Sequence, residues 1–62
     1  MNKKQKEMLF RLMSSMSGQD YKSYLEGHII FARDMIRAGD TTYQVDLDVA
    51  SELLEEELKR DN

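Results

Sequence analysis

His28 is the single histidine of this chain and the first place to look for chemistry. An imidazole works as a general base or a triad member only when a nucleophile and an orienting carboxylate lie within hydrogen-bond reach. No serine or carboxylate stands at a spacing from His28 that would build such a set, and Asp34, six residues on, projects elsewhere around a helix. The chain has no cysteine, which excludes a thiolate nucleophile, a disulfide and a cysteine-bound zinc site. No catalytic group, cofactor or metal ligand is assigned. The favoured reading of His28 is a packed ring whose nitrogens bond to Tyr21, Tyr24 or a backbone carbonyl. The functional alternative is a contact in an apolar interface that weakens when the ring is protonated near pH ~6.

Two charged clusters are the other candidates. Asp48, Glu52, Glu55 and Glu56 fall on one side of a C-terminal helix and form a possible surface for a basic partner, in the manner of nucleic-acid phosphates. The plainer account is a solvated face, because Glu55–Lys59 and Glu56–Arg60 have the favourable i, i+4 order. As a metal site the cluster lacks a glycine-turned calcium loop. Lys3, Lys4, Lys6 and Arg11 could contact phosphates, with solubility of a helix N-terminus as the simpler account. Through Ala38 the chain has seven basic and four acidic residues, and from Gly39 onward two and eight. It is basic first and acidic last, an asymmetry that suits head-to-tail packing or a charged partner.

The elements that position these groups read as helical. Sixty-two residues without proline make a single domain, residues 1–62, near the lower size limit for a stable core. Met8, Leu9, Leu12, Met13 and Met16 share one side of a first helix, expected from about Asn2 to Met16, with Phe10 at its edge. Core filling is the favoured role of these methionines, and a flexible binding face the alternative. Ser17-Gly18 should end that helix and Asp20 should cap the next. The second helix should close at Arg37-Ala38-Gly39, a cation followed by a terminating glycine. Residues 40–45 read as a loop or short extended piece, with a strand at 42–46 as a variant, and 47–60 as a helix capped by Asp46 or Asp48. The expected fold is all-α: a three-helix bundle, or a helical hairpin with an acidic C-terminal helix.

The second helix carries an unusually broad apolar arc of Tyr21, Tyr24, Leu25, His28, Ile29, Phe31, Ala32, Met35 and Ile36. A monomer this small has few neighbours to cover it. Tyr21, Tyr24, Gly27, His28, Phe31 and Met35 are therefore the expected self-association residues, with Gly27 allowing close approach of another helix. Ile30 stands on the polar side, ringed by Glu26, Arg33, Asp34 and Arg37 like a small contact patch with a polar rim. No stretch reaches the ~20 apolar residues of a membrane span, nor is there a secretory pattern, so a cytoplasmic protein is expected. The expected function is a non-enzymatic helical interaction module, a homodimer that binds another protein as an accessory, regulatory or inhibitory factor. The alternatives are nucleic-acid binding through the basic first helix and acidic mimicry of nucleic acid.

Overall fold

The computed structural model describes residues 2–15 and 18–60. Helix α1 (Lys3–Leu12) runs into a 3₁₀ turn at Met13–Ser15, α2 spans Gly18–Arg37, a second 3₁₀ turn covers Thr41–Tyr43, and α3 spans Gln44–Arg60. The chain is a small all-α protein of three helices, without a strand among the described residues. Helices α2 and α3 form a hairpin, and α1 lies over it.

Local chemistry explains the boundaries. Asn2 starts α1 with a capping box: its side chain accepts from the Gln5 amide at 2.9 Å, and its own amide donates to Gln5 Oε1 at 3.0 Å. Two otherwise orphaned donors are thereby satisfied. The α-helical part of α1 ends at Leu12, short of the expected Met16, because Ser14 and Ser15 donate their hydroxyls to the carbonyls of Arg11 and Leu12. Such back-bonding competes with the regular ladder and tightens the last turn. Met16 and Ser17 lie outside the described residues. Gly18 opens α2 instead of closing α1, which puts Asp20 inside the first turn and not at the cap.

The end of α2 is as expected. Gly39 has φ +109°, its amide donates to Ile36 O at 2.9 Å, and the Asp40 amide donates to Met35 O at 2.9 Å. These are the two bonds of a Schellman motif, which needs a residue free to take positive φ. The extended piece expected at 40–45 is absent, and so is the strand at 42–46. The Asp40 carboxylate accepts from the Thr42 amide at 3.2 Å and from the Thr42 hydroxyl, nucleating the 3₁₀ turn that leads straight into α3. The alternation of Tyr43, Val45 and Leu47 is thus overruled by a local cap.

The core consists of Phe10, Tyr21, Leu25, Val49, Ala50 and Leu53, with Met13, Tyr24, Ile29, Val45 and Leu54 packed against it. Helix α1 contributes differently from its expected stripe. Its inward line is buried Phe10 with half-buried Lys6 and Met13, while Met8, Leu9 and Leu12 are 63, 46 and 72 % exposed. Phe10 anchors that line: its ring meets His28 edge-on at 5.0 Å and Tyr24 at 6.1 Å. One aromatic anchor buries more area in a single pocket than a thioether and offers directional ring contacts besides.

This rotation of α1 has a measurable consequence. Leu25→Ala, at a fully buried site, should cost about 2–5 kcal/mol, a large part of the ~3–9 kcal/mol expected for a chain of this length. Leu12→Ala should change stability by less than about 0.5 kcal/mol. Urea unfolding followed by circular dichroism separates the two, and equal losses would place Leu12 in the core.

Candidate interaction surfaces

The most connected polar group is Asp46, which sequence reasoning placed at a helix cap. It is 3 % exposed and holds partners from both other helices. Lys6 Nζ lies 3.2 Å from Oδ1, and His28 Nε2 lies 2.9 Å from Oδ2. A carboxylate only accepts, so the ring donates through Nε2–H. His28 is therefore packed, as favoured, but its polar partner is a carboxylate eighteen residues away rather than Tyr21 or Tyr24. Its ring also stacks on Tyr24, with 14° between planes, and meets Phe10 and Phe31. A polar hollow of about 520 Å³ beside the knot is lined by Lys6, Asp40, Thr42, Tyr43, Val45 and Asp46. Its charged groups are already paired with one another or with neighbours. Among the described residues no three acidic, cysteine or histidine side chains converge to hold a metal ion.

The two charged clusters face each other. Lys3 pairs with Glu52 at 2.9 Å, and Arg11 pairs with Glu7 at 2.9 Å and approaches Glu56 at 3.6 Å. Glu55 pairs with Lys59, and Asp48 accepts from the Gln44 side chain. The Glu52 hydrogen bond and charge raise the Lys3 pKa, and Glu7, through its hydrogen bond, raises that of Arg11. Of the four basic residues proposed for phosphate contact, Lys4 alone has no such partner among the described residues. Glu57 is buried against Arg60 at 3.2 Å. Burial, with Glu57 second, pushes the Tyr21 phenol above its ordinary value.

Of the six self-association candidates on α2, Tyr21 is buried in the core, and Tyr24, His28 and Met35 are half-buried. Phe31 is more open but meets Tyr43 edge-on at 5.3 Å. Most of the broad arc is therefore covered within one chain. Gly27 is exposed, and a Cβ there would meet nothing within 4 Å. None of the described helices approaches it closely.

Two apolar surfaces remain open. The first is the outer ridge of α1, where Met8, Leu9 and Leu12 border a shallow hollow with Gln5. The second is a groove of about 460 Å³ between α2 and α3, lined by Ile29, Ile30, Leu54 and Leu58 with Glu26, Arg33, Ser51 and Glu55. Ile30 and Leu58 are 60 and 50 % exposed. On α2, Tyr24 and His28 lie to one side of the buried Leu25–Ala32 line, and Ile29, Ile30 and Arg33 lie to the other. Helix α1 therefore covers one face of the hairpin and leaves the opposite face bare. The Ile30 patch was legible from its polar rim. The Leu54 and Leu58 half of the groove was not, because both leucines also fit a core stripe.

Gly27→Ala should raise stability by about 0.5–1 kcal/mol, since alanine suits an exposed helix interior and the site has room. A lower melting temperature, or weakened association, would show that a second chain needs the bare backbone there. Asp46→Ala should cost about 2–3 kcal/mol because it strands two part-buried donors, whereas Lys3→Ala, at an exposed and solvent-screened pair, should leave the melting temperature nearly unchanged. Thermal unfolding of the three variants checks both statements.

No protein-family model, curated protein or solved structure matches this chain.

Proposed function

We propose that this chain is a non-enzymatic helical interaction module that associates with itself and binds another protein, as an accessory, regulatory or inhibitory factor. The carrying observation is a pair of open apolar surfaces on opposite sides of one small fold: the Met8–Leu9–Leu12 ridge, and the groove in which exposed Ile30 and Leu58 flank half-buried Ile29 and Leu54. Contiguous exposed apolar patches on a small chain mark contact sites, unlike single scattered residues. An outward ridge at i, i+1, i+4 spacing is the form in which an amphipathic helix meets an apolar groove.

Nucleic-acid binding is the weaker reading, because Lys3, Lys6 and Arg11 already sit in ion pairs with this chain's own acids. The same pairs weaken acidic mimicry, since Glu52 and Glu56 face Lys3 and Arg11. None of the described helices is long and apolar enough to cross a membrane.

The test has two parts. Light scattering at micromolar concentration should give more than the 7.3 kDa chain mass. Affinity capture from the native host should then recover a protein with the intact chain that is lost with a folded Leu9→Asp or Leu12→Asp variant. A strict monomer whose captured proteins are the same for intact and ridge variants would overturn the proposal.

A further inference from the structure

We infer that the α2–α3 groove is a homodimer interface, in which α2 packs antiparallel against α2 of a second copy about a two-fold axis passing between Ile29 and Ile30. The inference rests on the self-association reading above and gives it a surface and a register.

Three observations carry it. First, α1 meets the Tyr24–His28 side of the hairpin, so the groove side has no covering element among the described residues. Second, its apolar floor is centred on Ile29 and Ile30 in α2, with Leu54 and Leu58 alongside. Third, the charges on its rim are self-complementary. In an antiparallel pair with its two-fold between Ile29 and Ile30, residues equidistant from that point oppose each other. Ile29 then faces Ile30 of the second copy, and Glu26 faces Arg33, twice by symmetry. Among the described residues neither Glu26 nor Arg33 has an ion-pair or hydrogen-bond partner within its own chain, and both are exposed. One carboxylate and one guanidinium, placed evenly about an apolar centre and unused in the monomer, are what an isologous contact requires.

The same register sets Lys22 against Arg37 of the second copy, which are like charges. Helices crossing at the common angle of about 50° diverge away from the contact point. The pairs one turn from the axis therefore stay within reach, while those two turns away separate. The alternative occupant, a second copy's α1 ridge, makes a head-to-tail contact that does not close and builds open chains. It also leaves the Glu26–Arg33 symmetry without a purpose.

Sedimentation equilibrium and circular dichroism on the full chain test the inference. The intact chain should sediment at twice its 7.3 kDa mass. Ile30→Asp should be a helical monomer, because the site is solvent-exposed in one chain. Glu26→Arg or Arg33→Glu alone should weaken the dimer about tenfold or more, since each turns two attractive pairs repulsive. The double variant Glu26→Arg/Arg33→Glu should return to within about threefold of the intact chain. A dimer weakened by both single changes but not restored by the double one overturns the register. A dimer that survives Ile30→Asp and is lost in Leu9→Asp overturns the groove as its interface and leaves the interaction-module reading standing. Mass that grows beyond the dimer with concentration points to head-to-tail stacking and overturns the two-fold. A strict monomer removes this dimer and the self-association half of the proposed function together, while ridge-dependent capture of another protein would still stand.

Discussion

A buried carboxylate has to be answered by donors, and in this fold Asp46 is answered by two helices at once. Leaving such a group unpaired in a low-dielectric interior costs several kcal/mol, so the positions of Lys6 and His28 are not independent of α3. Lys6 must face the hairpin, and Phe10, one turn further along the same side, follows it into the gap between Tyr24 and His28. Once those two side chains point inward, helical geometry turns Met8, Leu9 and Leu12 outward. The most apolar side of α1 is thus exposed as a consequence of the polar knot beneath it. A buried ionic group is weak evidence for added stability. Here its visible effect is on orientation, holding α1 in the rotation that turns Lys6 and Phe10 inward.

The charge gradient along the chain finds its use in the same place. The basic first helix lies across the acidic third, and Lys3–Glu52, Lys6–Asp46 and Arg11–Glu56 close across their seam. Only the middle pair is substantially buried. The outer two are exposed and screened by solvent and salt, and both lie on the same face of α1 as the buried pair. The asymmetry that first suggested a charged partner is largely consumed inside the chain. What remains for a partner is apolar surface with a thin rim of charge, the composition of a protein–protein contact rather than of a phosphate-binding one.

Helix positions were legible wherever a local signal was strong. The Arg37-Ala38-Gly39 end followed from a glycine's freedom at positive φ, and α3 from Val49 onward followed from a single consistent period. Where two local signals competed, the reading went astray. Alternation at 43–49 suggested an extended piece, but Asp40 and Thr42 bond each other and start a turn that α3 continues. The long-range features were not legible at all. Asp46 as the partner of His28 joins residues eighteen apart, and nothing in the local pattern separates a capping aspartate from a buried one. The rotation of α1 was hidden for the same reason: a stripe of five methionines and leucines outweighs one phenylalanine and one lysine until the lysine's partner is known. Gly27 misled in the opposite direction, since a helical glycine invites a close neighbour and here has open space around it.

Three short helices give only one layer over a hairpin, and a hairpin has two faces. With α1 placed by Asp46 on the His28 side, no described element is left to cover Ile30 and Leu58 or the outer flanks of the half-buried Ile29 and Leu54. Each exposed CH₂ on that face and on the α1 ridge forgoes about 0.8 kcal/mol that burial would return. A sequence selected only for a stable monomer would put polar residues there, as it does at Lys22, Ser23 and Asp34 around them. Apolar residues kept at both bare surfaces, beside charges with no internal partner, make sense if those surfaces are covered when the protein works. Their opposite placement means that covering one does not obstruct the other. A second copy on the groove would leave the ridge open, so the proposed module could hold a different protein there at the same time.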